Sequence, residues 1–269
     1  MTWSPSVRSR VAAVVHARSL RALPAYWYIR HPNLGDALAP VLLEHYLRWP
    51  VGWVVKTSKG KILSTGSLVS SVSEGDLVLG SGLIEDRRIP LPRGALVLSV
   101  RGPMTRDRLG AAGVPEVYGD PALLIPNVTG LRAVPGDLIG VIPHFIDKPA
   151  VASAGLPTGS VLIDVQEPWR RVVDAIRHCR AVVSSSLHGI VVAEAFHIPA
   201  VWVSLGDKIV GGNFKFNDYY LGTGRPTRGP VCLEAGLEIA ASGDLPPPVI
   251  DSTAVERSFD LAREEIMSG

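Results

Sequence analysis

The chain has 269 residues, 46% apolar and 19% charged, a balance that excludes a disordered or fibrous protein and suffices for one large domain or two modest ones. A net charge of +2 is too slight to indicate a nucleic-acid binder and suits a small anionic substrate equally well. The two cysteines, Cys179 and Cys232, are too few for a disulfide framework and lack metal-ligand spacing, so both are expected as buried thiols in a reducing compartment.

The first segment, "SVRSRVAAVVHARSLRAL", has arginines around a short apolar run, less than a signal peptide needs, and no stretch reaches the roughly 18 apolar residues of a membrane span. It is expected to be a solvated leader, with an amphipathic helix on an anionic membrane as the alternative, and the protein is placed in the cytoplasm. "NLGDALAPVLLEHYLR" has helical spacing. "GDLVLGSG" and "GALVLSVRGP" are strands, and "GPMTRDRLGAAG" is a helix stopped by Gly110 and Gly113, with Thr105, Arg106 and Asp107 on its polar side. "PEVYGDPALL" is a further strand-and-turn unit. "IPNVTGLRAVPGD", Ile125 to Asp137, has no periodicity and is taken as a linker.

Beyond it, "DLIGVIPHF", "GSVLIDVQ", "CRAVVSSS" and "IPAVWVS" are strands, while "PWRRVVDAIRHC" and "LHGIVVAEAFHI" are helices. "GGNFKFNDYYLGTGR" is too polar for core and is assigned to a lid loop; "STAVERSFDLAREEIM", after a stiff proline segment, is a helix that packs back on the first domain. This rhythm predicts an α/β fold with mainly parallel strands covered on both faces. The domains are set at 1–130, 135–245 and a terminal helix over 250–269.

In open parallel sheets ligands bind beyond the carboxyl ends of the strands. "SSSLHG" falls there: the serines, the free N–H groups and the helix dipole suit a phosphate or carboxylate, and His188 could move a proton. Equally, the serines cap the helix and His188 satisfies a backbone carbonyl. Arg101 follows a strand and could grip an anion in bidentate fashion, whereas Arg106 and Arg108 belong to a solvated face. Asn33, Gly35 and Asp36 are either a capped turn or a sugar-hydroxyl site with Asp36 as base.

Gly80 and Gly82 permit close backbone approach, but with no third glycine or downstream acid they are no dinucleotide fingerprint, and no P-loop is present. Asp120 is a ligand group or a simple cap. Lys215, Asp218, Tyr219 and Arg225 cover an anionic or sugar ligand, or belong to an ordinary surface loop.

In order, "NLGDAL", "GSGLI", "SVRGPMTRDRLGAAG", "YGDPALL", "SSSLHGIVVAEAFHIPAVWV" and "FKFNDYY" resemble the polysaccharide pyruvyl transferase family, in its bacterial exopolysaccharide ketal-forming type, over about residues 31–220. The resemblance implies two Rossmann-like domains facing a cleft, as in GT-B glycosyltransferases. It implies phosphoenolpyruvate as donor substrate, with no cofactor and no metal, and a cyclic pyruvate ketal formed on two hydroxyls of a sugar in a polysaccharide or lipid-linked oligosaccharide, with release of phosphate.

By the same resemblance, Arg101 binds the donor's anionic groups and Leu187 and His188 match a donor-binding Leu-His pair. Ser186 stands where some members have arginine. The remaining donor charge falls to Ser185, Ser186 and Gly189 at the helix start and to Lys215 or Arg225. His188 is the expected proton-transfer group and Asp36 the second catalytic candidate; Asn33, Gly80, Ser81, Gly82, Asp120, Asp218 and Tyr219 are expected on the acceptor side. Nucleic acid is excluded as a partner, and a lipid-linked acceptor would bring the protein to the inner face of the membrane without a spanning helix. A nucleotide-sugar glycosyltransferase and a noncatalytic carbohydrate-binding relative are the alternatives.

Overall fold

A computed structural model describes residues 22–134, 136–206 and 211–268; the arginine-bearing leader lies outside them. Two parallel sheets organise the chain. The first has the order β2-β1-β3-β4-β5, from β1 (Leu23–Tyr26), β2 (Val51–Trp53), β3 (Ile62–Leu63), β4 (Leu77–Leu79) and β5 (Leu96–Ser99). The second has the order β7-β6-β8-β9, from β6 (Ile139–Ile142), β7 (Ser160–Leu162), β8 (Ala181–Ser184) and β9 (Ala200–Trp202). The protein is thus α/β, with its two sheets in a GT-B-like arrangement.

Helices join and cover the strands because parallel neighbours require crossovers. In the first half these are α1 (Leu34–Leu47), α2 (Pro103–Arg108) and α3 (Ile125–Thr129). In the second they are α4 (Lys148–Ala154), α5 (Trp169–Arg177), α6 (Leu187–Ala195), α7 (Phe214–Gly222), α8 (Leu233–Ser242) and α9 (Thr253–Ser268). On α1 the stripe Leu34, Leu38, Leu42 is wholly buried, and the helix stops at Arg48, whose left-handed φ of 56° lets its N–H reach the Glu44 carbonyl.

Helix α6 is buried on every side from Leu187 to Glu194, as an all-round apolar helix must be. It packs on the 3-10 turn Pro121–Leu124 and on α1, so one apolar core runs from Ala25 through Leu123 and Ile190 to Val182 and ties the two sheets together. Each fully buried leucine, isoleucine or valine of this core contributes about 1.5–3 kcal/mol by leaving water. Helix α9 lays Val255, Phe259 and Ala262 against α1, β4 and β5, and Ser258 shares a 2.8 Å hydroxyl bond with Ser99. Among the described residues no helix is long and apolar enough to cross a membrane.

Several elements differ from the sequence expectation. Strands β1 to β3 have only two to four residues each, too few to leave a period. "PEVYGDPALL" pairs only at a Val100–Tyr118 bridge before turning into the 3-10 segment, where Asp120 Oδ1 accepts the Ala122 N–H at 3.0 Å. The linker begins as helix α3, anchored by buried Ile125. The supposed lid is helix α7: Phe216, Tyr219 and Tyr220 are buried, with Phe216 stacked on Trp202 at 4.2 Å. Thr105 is buried rather than on a polar face, and Cys232 is exposed while Cys179 is buried.

Candidate active site

A cavity of about 350 Å³ opens where the loops after β1 and β3 face those after β6 and β8, with Lys215 reaching in from α7. His188 stands in its wall on the first turn of α6. The turn is set by Ser184, whose hydroxyl donates to the Ile142 carbonyl at 2.8 Å and accepts the Ser186 N–H at 3.0 Å. The imidazole lies against Gly35, where a Cβ would come within 2.1 Å of Nδ1, so a side chain there would displace the ring. Its Nε2 faces Asp120 Oδ2 at 3.5 Å, and among the described residues neither atom has a hydrogen-bond partner.

Asp36, at the start of α1, accepts the Tyr28 N–H and the Asn33 side-chain amide, each at 3.3 Å. Burial pushes its carboxyl up to about 6, against the opposing charge of His188. The group therefore exchanges a proton near neutrality, as a general acid or base requires. This shift has a sign for stability. A carboxyl of ordinary value near 3.8 that rises to about 6 on folding contributes stability fully present below pH about 4, lost as pH rises through 6. Asp36→Asn removes that loss, so its stability relative to wild type should improve by about 1–3 kcal/mol between pH 4 and 7.5. Urea unfolding at the two pH values checks this; a pH-independent difference would contradict it.

The cavity also has a cationic lining residue. Lys215 is buried, and burial and the neighbouring Arg101 charge lower its pKa to about 8 against the pull of Asp147. In contrast to Arg101 and Arg225, it has no ion-pair partner among the described residues. His144 lies near it, and burial with the Lys215 charge pushes the imidazole down to about 4, so the ring is neutral. Its Nδ1 accepts the Ile146 N–H at 3.4 Å, which leaves the proton on Nε2. Ser186 precedes α6 without a side-chain cap bond, so its hydroxyl and the first-turn N–H groups of Leu187 and His188 are available to an anion.

The other sequence candidates stand behind this wall. Arg101 is wholly enclosed: it donates to Ser67 Oγ at 2.9 Å and to the Leu83 carbonyl, and pairs with Asp218 at 3.2 Å. Gly82 makes room for the guanidinium, since a Cβ there would lie 2.3 Å from Cζ. Asp218 also accepts the Thr105 N–H and hydroxyl at 2.9 and 2.7 Å. Arg225 grips Glu194 through two bonds of 2.6 and 2.8 Å, and Tyr219 donates to the same carboxylate at 2.6 Å.

Ser185 donates to Asp147 at 2.8 Å and accepts the His144 N–H, pinning the loop after β6. Ser81 donates to the Gly66 carbonyl and accepts the Leu68 N–H, pinning the loop after β3. Gly80 approaches Pro121, and Gly189 approaches Ser184.

Asn33, Asp36, Ser186, Leu187, His188 and Lys215 therefore meet at one cavity. Sequence reasoning did not find Tyr28, Ser67, His144 and Phe145, which also line it. A signal existed for two of them: "PHF" directly follows the continuous apolar run "LIGVI", at the carboxyl end of a central strand where ligands bind.

The family model described as Polysaccharide pyruvyl transferase matches residues 40–207. The chain is 30% identical to the succinoglycan biosynthesis protein ExoV of Rhizobium meliloti (strain 1021), over 79% of this chain and 69% of the relative. It is 28% identical to the uncharacterized protein L143 of Acanthamoeba polyphaga mimivirus, over 90% of this chain and 89% of that one. The match begins within α1, runs past the end of β9 and takes in every strand of the two sheets except β1, and on these similarities the chain belongs to the polysaccharide pyruvyl transferase family, a family of transferases.

Proposed function

We propose that the protein transfers the pyruvyl group of phosphoenolpyruvate to two hydroxyls of a sugar, forming a cyclic ketal and releasing phosphate. The observation that carries this reading is that His188, Asp36, with its carboxyl pushed up to about 6, and the Lys215 ammonium line one cavity together with the start of α6. The donor's phosphate and carboxylate need cations and N–H groups. Lys215 is the cation that shares the cavity lining with Ser186, since Arg225 is spent on Glu194. Arg101 acts from behind: Ser67 Oγ accepts its N–H, which frees the Ser67 hydroxyl proton to point into the cavity.

The chemistry follows from the polarity of an enol phosphate. A proton delivered from His188 to C3 turns the methylene into a methyl and leaves C2 electron-poor. One sugar hydroxyl forms a C–O bond to C2 and gives its proton to the site. The C2–O bond to phosphate then breaks, phosphate leaves with its electron pair and a proton, and the second hydroxyl closes the ring. Of the two hydroxyl protons one ends on the new methyl and one on phosphate, so His188 and Asp36 finish as they began. Asp120, whose Oδ2 stands 3.5 Å from Nε2, is the carboxylate against which the ring rests. Lys215 and the start of α6 neutralise the leaving phosphate.

Phosphate release from phosphoenolpyruvate with a panel of lipid-linked and synthetic glycans tests the reading against turnover of nucleotide sugars. Turnover of a nucleotide sugar alone would contradict it. Lys215→Met keeps the stem and removes the charge. It should raise KM for phosphoenolpyruvate about 10- to 100-fold, the loss of one charge-assisted bond, with a smaller change in acceptor KM. The reverse pattern in initial-rate kinetics would place the donor elsewhere.

A further inference from the structure

The rim of the cavity carries an aromatic strip that the donor chemistry does not use. Tyr28 and His31, after β1, have ring centroids 6.2 Å apart; His31 stacks on Phe145, after β6, at 5.4 Å and 27°; and Phe145 contacts His144 at 4.4 Å. The strip thus crosses from the loops of one sheet to those of the other. Tyr28 and Phe145 line the cavity and are only partly buried, and His31 is exposed beside them. Next to these rings, Asn33 and Asp36 offer polar groups in the same space.

An apolar face beside clustered hydroxyl-binding groups is the complement of one class of molecule. A pyranose has a face of C–H bonds that packs on an aromatic ring and an equatorial edge of hydroxyls that seeks amides and carboxylates. The cavity, at about 350 Å³, lies at the small end of ligand sites, so it takes the donor and a single sugar ring, and the rest of a glycan must leave over the rim. We propose that Phe145 and Tyr28 form the platform on which the terminal pyranose of the acceptor stacks, with its hydroxyl pair turned to Asn33 and Asp36. This rests on the pyruvyl-transfer reading for what happens next, but the stacking itself requires no donor.

The test uses that independence. Saturation-transfer NMR with methyl β-D-glucopyranoside and methyl β-D-galactopyranoside, without phosphoenolpyruvate, should give transfer to the ring C–H protons of at least one of them. Phe145→Ala and Phe145→Leu should weaken that binding about tenfold, while Phe145→Trp retains it; thermal melts of each variant identify any that fail to fold. Undiminished binding by a folded Phe145→Leu would overturn the proposal, because apolar volume alone would then suffice. So would binding of uridine diphosphate in place of both pyranosides, or no transfer from wild type to either. Pyranoside stacking without phosphate release in the glycan panel would instead count against pyruvyl transfer alone.

Discussion

His188→Ala is expected to lower the rate of phosphate release by about 10²- to 10⁴-fold, the range for losing a positioned proton-transfer group, with little change in thermal midpoint. The separation of the two effects follows from where the ring sits. It stands in the cavity wall against Gly35 and Asp120 rather than within the apolar core. Its removal lets water reach the Asp120 carboxylate, whose other oxygen stays bonded to the Ala122 N–H. Asp120→Asn should cost less, because the ring remains and loses only the carboxylate charge 3.5 Å from Nε2. Initial rates with phosphoenolpyruvate and an accepted glycan, paired with melts, check both. Full activity in a folded His188→Ala protein would remove the histidine from the chemistry.

The largest stability effect is expected at Arg101. Arg101→Met leaves the Asp218 carboxylate fully enclosed, with only the Thr105 N–H and hydroxyl to satisfy it. Breaking one partner of a buried ion pair typically costs about 3–5 kcal/mol, because the remaining charge has neither water nor a counter-ion. Asp218→Asn is the mirror change and leaves the guanidinium with Ser67 and the Leu83 carbonyl. Replacing both, as Arg101→Met with Asp218→Leu, should recover part of the loss, since an apolar pair does not carry the desolvation penalty. Urea unfolding gives the numbers. If Arg101→Met were as stable as wild type and only weakened donor binding, the guanidinium would have to reach the donor directly, contrary to the enclosed geometry.

How much of this was legible beforehand differs by residue, for physical reasons. "SSSLHG" and "NLGD" lie at strand-to-helix junctions, where the turn and the direction of the ligand face are set locally, and Asn33, Asp36, Ser186, Leu187 and His188 from them do meet at the cavity. "GSG" signalled close approach, but a glycine does not say what approaches it: here Arg101 and Pro121 fill the space. Arg101 and Asp218 were visible as charges, but their pairing joins segments distant in sequence. The polar letters of "FKFNDYY" suggested a lid because Asp218 and Tyr219 are satisfied only by such remote partners, and it is that satisfaction that lets α7 be buried. Lys215, on the same helix, has no such partner among the described residues and lines the cavity.

That contrast bears on the charge left open where Ser186 stands. Of the three cations near the site in sequence terms, two are neutralised by buried carboxylates. The third, Lys215, lines the cavity and has no ion-pair partner among the described residues.

The central claim is most directly tested by mass spectrometry of a glycan incubated with the protein and phosphoenolpyruvate, once in water and once in D₂O. Pyruvyl ketal formation adds about 70 Da in water and about one further dalton in D₂O, from the solvent deuteron delivered to C3. No gain on any glycan of a broad panel, or a gain of about 162 Da seen only with a nucleotide-sugar hexose donor, would contradict it.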